Sequence, residues 1–128
     1  MYLNFNSAIY NKALEIGSLS KKISDYLNAD LAPLSESGQE NPDIYFSGDI
    51  IQHSMSLSTE ILKAEQTKHT QSDKKYHHAH TLKWLTYRLN QNCRRLEQCN
   101  SNGRDFMFLL KKELKKFKKL QKQWMLSL

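Results

Sequence analysis

Glycine and proline are scarce in this chain, at four and two residues. Both prolines, Pro33 and Pro42, fall in one stretch, so the long segments on either side are free of helix breakers. The glycines lie far apart, which excludes a glycine-rich phosphate loop. Cysteine is scarce too: Cys93 and Cys99 are the only two. Six residues apart on a helix they point about 240° from each other, so no bond between them is expected. Two unpaired thiols suit a reducing cytosol, and a cytoplasmic protein is expected. No long hydrophobic run exists. The longest, "FMFLL" at 106–110, is far short of the ~20 residues that span a bilayer, and no membrane partner is expected. The opening "MYLNFNSAIYNK" has neither a basic n-region nor an unbroken apolar h-region, unlike a signal peptide.

Basic charge is what the first half lacks. Residues 1–72 hold five Lys/Arg against nine Asp/Glu, a net of −4, whereas 73–103 carry +4 and 104–128 carry +6. This asymmetry favours an acidic-surfaced partner, self-association or nucleic acid.

The remaining pattern is helical, and 128 residues suit one domain. Phe5, Ile9, Ala13, Ile16, Ser20, Ile23 and Leu27 recur every three or four residues, with Leu19 and Tyr26 widening the seam. A polar stretch, "NADLAPLSESGQENP", reads as a linker. Phe46, Ile50, Ser54, Leu57, Ile61 and Ala64 share the second face, with Asp43 as its N-cap. After "TQSD", where Ser72 or Asp73 would cap, Ala79, Leu82, Leu85, Leu89, Cys93 and Leu96 form the third. After "NSNG", Phe106, Leu110, Phe117, Leu120, Trp124 and Leu128 form the fourth, flanked by Leu109 and Leu114. Helices are expected over about 3–27, 43–70, 73–99 and 103–127. They make an all-α, antiparallel up-down-up-down four-helix bundle the expected fold.

Catalysis has little support. The carboxylates are scattered, no E-x-x-H pair marks a di-iron bundle, and no spacing marks a nucleophile. His77, His78 and His80 cluster, yet no Cys or acidic residue other than Asp73 shares their face, so they read as surface histidines. Neither a metal nor another cofactor is expected.

The last helix, "LLKKELKKFKKLQKQWMLSL", is the most informative stretch. Lys111, Lys112, Lys115, Lys116, Lys118, Lys119 and Lys122 occupy one arc of a helical wheel, and the apolar seam occupies the other. Such a face is a solvated surface with aliphatic stems shielding the core, a phosphate-binding row, or a membrane-surface face. The last is disfavoured because the apolar stripe is needed in the bundle. Phe108 lies amid the lysines, where it needs a subunit contact or a base to stack on. The third helix carries a similar outward strip of Trp84, Arg88, Gln91 and Arg95, with Tyr87 beside it. These are residues typical of binding hot spots, in a subunit interface or on nucleic acid, unless the strip is merely the edge of a wide core.

The chain resembles a superfamily of small four-helix bundles. One branch is encoded in intervening sequences of large-subunit ribosomal RNA genes; the other is the accessory variability determinant of diversity-generating retroelements. "HSMSLSTEILKAE" at 53–65 is similar to the second-helix motif of the first branch. Ser58 stands where that motif has proline, Glu60 where it has asparagine, and its glycine is absent. "AHTLKWLTYRLNQNCRRL" and "LLKKELKKFKKLQKQW" resemble the third and last helices of the second branch, which fits better. On that match Lys83, Arg88, Lys118, Lys119 and Trp124 are the positions carried over. The resemblance implies a pentameric homo-oligomer with a basic surface, a reverse transcriptase partner, and RNA or DNA binding without strong sequence preference.

The resulting expectation is a non-enzymatic accessory bundle. Its nucleic-acid contacts would be Lys83, Arg88, Arg94, Arg95 and the seven lysines of the last helix. Its contacts between copies would be Trp84, Tyr87, Gln91 and Phe108. The rival expectation is an interaction or scaffold bundle that binds no nucleic acid.

Overall fold

The computed structural model describes residues 7–68, 70 and 73–128. Four helices make up the fold: α1 (Ala8–Leu31), α2 (Asp43–Thr67), α3 (Lys74–Leu96) and α4 (Met107–Leu126), the last preceded by a 3₁₀ turn over Asn102–Phe106. There is no strand among the described residues. Ser7 starts α1 by accepting a hydrogen bond from the Tyr10 amide, 3.3 Å away, which satisfies a donor that the first turn leaves free.

Paired contacts give the sense of each helix. Between α1 and α2, Ser20 bonds Ser54 (2.6 Å) and Ser24 bonds Ser47 (2.8 Å). Between α2 and α3, Glu60 meets His78 and Asp43 meets Arg95. Thr86 bonds Gln121 and Glu97 pairs with Lys111 across α3 and α4. Lys12 pairs with Glu113, and Tyr26 stacks on Phe106, across α1 and α4. In each pair one residue number rises as the other falls, so neighbouring helices run antiparallel and α4 closes back on α1. Trp124 crosses the bundle, its indole N–H donating to Glu65 at 2.8 Å.

One core fills the interior. Phe117, Ile16, Leu57, Leu82, Leu89 and Leu110 are among its fully buried side chains. Each contributes about 1.5–3 kcal/mol relative to exposure. The α1–α2 seam is polar in part. Ser20, Ser24, Ser47 and Ser54 are all buried, and their hydroxyls are hydrogen-bonded. Small side chains let these two backbones approach, and the paired hydroxyls avoid the 1–3 kcal/mol that an unsatisfied buried donor costs.

Several expectations from the sequence change. α1 runs on to Leu31, because Leu31 is buried one turn beyond Leu27. The connection that follows, 32–42, holds no helix and turns at Gly38, whose φ is +79°. Asp43 is the first residue of α2 and does not cap it. Its own N–H donates to the Asn41 side chain (3.0 Å), and its carboxylate is committed to Arg95. Asp73 stands at the start of α3 without a side-chain capping bond. Phe106 leaves the expected fourth seam, since the 3₁₀ turn rotates it outward onto Tyr26; Met107 takes the core position. Tyr26 and Leu109 are likewise exposed. Phe5 and Ser72 lie outside the described residues, as does the expected start of the first helix.

Two glycines test this packing in opposite directions. A Cβ at Gly103 would sit 2.8 Å from Leu27 Cδ2 and 3.1 Å from its Cγ, and Leu27 is fully buried. Gly103→Ala is expected to cost about 1–3 kcal/mol by overpacking. At Gly48, within α2, a Cβ would meet nothing within 4 Å. Gly48→Ala is expected to raise stability by about 1 kcal/mol through helix propensity. Thermal melts of the two variants against the wild type check the opposite signs.

Candidate nucleic-acid interface

The lysine face of α4 is divided by its neighbours. Leu110, Leu114, Phe117 and Trp124 point into the core and set the rotation of the helix. On the α1 side, Glu113 takes Lys12 (2.8 Å) and Lys116 (3.3 Å), and Lys12 also reaches Glu15 (2.6 Å). Hydrogen bonding from Lys12 holds the Glu113 carboxyl below its usual range, and Glu113 in turn raises the Lys12 ammonium. This side is therefore locally neutral.

The α3 side is different. The groove between α3 and α4 has two sections, and Lys118 lines both. One section, about 440 Å³, is lined by Lys83, Thr86, Tyr87, Lys118, Gln121, Lys122 and Met125. The next section, also about 440 Å³, is lined by Asn90, Arg94, Phe108, Lys111, Lys112, Lys115 and again Lys118. No carboxylate lines either section. Lys111 pairs with Glu97 at 2.7 Å. Among the described residues Lys83, Arg94, Lys112, Lys115, Lys118 and Lys122 form no ion pair. Tyr87 and Phe108, 58% and 64% exposed, line the groove.

The expected residues thus separate into two surfaces. Lys83, Arg94, Lys111, Lys112, Lys115, Lys118 and Lys122 come together with Tyr87 and Phe108 in the groove. Lys116 and Lys119 do not line it. Arg95 turns toward α2, where it binds Asp43 at 3.0 Å and lies over the Phe46 ring. Trp84 also leans to α2, edge-on to His53. Arg88 and Gln91 lie between the two surfaces: Arg88 donates to Gln91, and the Gln91 amide donates to the Tyr87 hydroxyl. The four residues expected to join copies are therefore split, with Tyr87 and Phe108 in the groove and Trp84 on the opposite flank of α3.

Sequence reasoning missed Thr86 and Gln121. Both are buried, at 2% and 7% exposure, and the Thr86 hydroxyl donates to Gln121 Oε1 at 2.8 Å. The signal was present: Gln121 falls three and four residues from Trp124 and Phe117, on the apolar seam, where a polar side chain needs a partner. Of the histidines, His78 is bonded to Glu60 at 2.8 Å. Among the described residues no three His, Cys, Asp or Glu side chains gather as a metal site, and no helix is long and apolar enough to cross a membrane. Cys93 and Cys99 are both buried and free, and burial raises the Cys93 thiol to about 12, so it carries no thiolate near neutral pH. No protein-family model, curated protein or solved structure matches this chain.

His53 gives the α2–α3 flank a pH response. Burial lowers its affinity for a proton, Arg88 lowers it further and Asp49 opposes them; its Nδ1 is buried without a partner. The unfolded chain takes up a proton near pH 6.5 that the folded chain resists. The contribution is full above that pH and is lost as pH falls below it. Between about pH 7.5 and about pH 5.5, the wild type is expected to lose more melting temperature than His53→Gln. Equal losses would mean that His53 does not carry the response.

Proposed function

We propose that this protein is a non-enzymatic bundle that binds nucleic acid through its phosphates, without sequence preference, in the groove between α3 and α4. The observation that carries this reading is the lining. Lysines and an arginine from two helices line one groove that has no acidic lining residue and meets a carboxylate only where Glu97 pairs with Lys111, whereas the α1 side of α4 is neutralised. A merely solvated lysine face has no reason to be so sorted. Unpaired ammonium groups held in a row displace counterions from a phosphodiester backbone, and such contacts position without reading bases.

Assembly into a homo-oligomer is the second part of the proposal. Trp84 supports it, being 53% exposed on the flank of α3 away from the groove, and a tryptophan there suits an interface anchor. The resemblance to retroelement accessory proteins adds a pentameric ring and a reverse transcriptase partner. On this reading Tyr87 and Phe108 belong to the ligand, and the Trp84 flank joins copies.

Lys112, Lys115, Lys118 and Lys122 changed together to Gln separate the groove from the other lysines; Lys116→Gln/Lys119→Gln is the control. Binding to a mixed-sequence RNA and to a DNA duplex is measured across a salt series, with mass checked by light scattering. The groove variant is expected to bind more weakly and to lose roughly 3 from the slope of log K against log salt. The control is expected to keep most of both. An oligomer that binds neither probe at low salt would replace this reading with a scaffold function.

A further inference from the structure

The two sections of the groove are built differently, and the difference bears on which nucleic acid fits. The Phe108 section is a basic trough. In the other section the buried Thr86 and Gln121 make the floor, and the more exposed Lys83, Tyr87, Lys118, Lys122 and Met125 line it around them.

The floor is fixed. Gln121 is more than nine-tenths buried, and its Oε1 shares the single Thr86 hydroxyl proton with the Leu82 carbonyl, at 2.8 and 2.9 Å. Gln121 Nε2 has no hydrogen-bond partner among the described residues, so a residue that lines the groove keeps an unfilled donor. The Tyr87 ring beside it is held by the bond from Gln91 to its hydroxyl, 2.6 Å long.

A phosphate needs none of this, because the lysines above the floor meet it first. An apolar-walled slot with one oriented donor matches a nucleobase, which offers a face to stack and an edge with acceptors. In a duplex the faces are stacked and the edges paired, and the floor would stay empty. We infer that this section of the groove receives one unpaired base against Tyr87 and the Gln121 amide, so that the site takes single-stranded nucleic acid in preference to duplex. Phe108 supplies a second stacking surface roughly 15 Å along α4 from Lys118, at 1.5 Å per residue, beside lysines that track the intervening backbone. The inference rests on the phosphate-binding reading of the same groove and specifies its ligand.

The test is fluorescence anisotropy at fixed salt with three labelled probes of equal length: oligothymidylate, an abasic strand with the same backbone, and a mixed-sequence duplex. Wild-type protein is expected to bind oligothymidylate about tenfold more tightly than the abasic strand, the size of one stacking contact. Tyr87→Ala removes the exposed ring, and Gln121→Met removes the amide while nearly keeping volume. The Thr86 hydroxyl stays satisfied in the second variant through its bond to the Leu82 carbonyl. Both are expected to lose several-fold to tenfold affinity for oligothymidylate, with abasic and duplex binding and the salt slope unchanged. Light scattering must show the wild-type mass, so that lost assembly is not read as lost stacking. Equal wild-type affinity for all three probes, or variants that weaken the abasic strand as much as oligothymidylate, would overturn the inference. If the groove lysine variant still loses binding in that case, phosphate binding stands and only the base slot falls. No binding of any probe at low salt would remove both.

Discussion

The repulsion among the lysines of α4 is the constraint around which this bundle is organised. Lys111 and Lys115, Lys112 and Lys116, Lys115 and Lys119, and Lys118 and Lys122 each stand one turn apart. A like-charge pair at that spacing costs about 0.2–0.5 kcal/mol, so these four pairs together cost on the order of 1–2 kcal/mol. Burial of Leu110, Leu114, Phe117 and Trp124 on the opposite side contributes about 1.5–3 kcal/mol each, and it wins. The helix forms because its apolar stripe is buried, and the charge is carried along. What the core does not relieve is left to the surface, and the surface relieves it unevenly.

That unevenness follows from which helices flank α4. α1 is charge-balanced, with Lys12, Lys21 and Lys22 against Glu15, Asp25 and Asp30, and it sets Lys12 and Glu15 beside Glu113 of α4. α3 supplies Lys83 and Arg94 on its groove side, and its one carboxylate near α4, Glu97, meets only Lys111. A charge asymmetry along the sequence becomes a charge asymmetry around the bundle because the helices pack in chain order and α4 closes on α1. The polar α1–α2 seam serves the same end. Its paired serine hydroxyls hold α1 and α2 close without large side chains there, and the bulk of Phe117 and Trp124 lies on the α4 side of the core.

The apolar period made the four helices and nearly all of the core legible in the sequence. Ile16, Leu27, Leu57, Leu82, Leu89, Leu110 and Phe117 lie where a spacing of three or four residues puts them. Element ends were less legible, because capping depends on which polar group a side chain meets. Asp43 has the chemistry of an N-cap, yet a cation fifty-two positions away claims its carboxylate. Phe106 had the spacing of a core residue, but a tight 3₁₀ turn breaks the 3.6-residue phase just before α4 begins. The lysine row was readable as a face; its division into a paired and an unpaired side was not, since that depends on Glu113 and Glu97, one facing α1 and the other rising from α3. The same holds for Trp84 and Tyr87, three residues apart on one helix, which open onto different flanks.

A groove that is basic above and partly apolar below has a consequence for how a ligand would be held. Lysine stems are flexible, and the ammonium groups can follow a moving backbone with little loss of attraction. Thr86 and Gln121 are not flexible: both are buried, and each limits the other. On the proposed reading, the upper layer would favour any polyanion and set the rate and salt dependence of capture. The lower layer favours only what can enter it, and it does so with little entropy left to lose, because its donor is already oriented. A surface of lysines alone would retain whatever duplex or strand it met first. On the proposed reading, a fixed floor under the lysines would separate capture from retention and would let the bundle discriminate between the forms of a nucleic acid by shape.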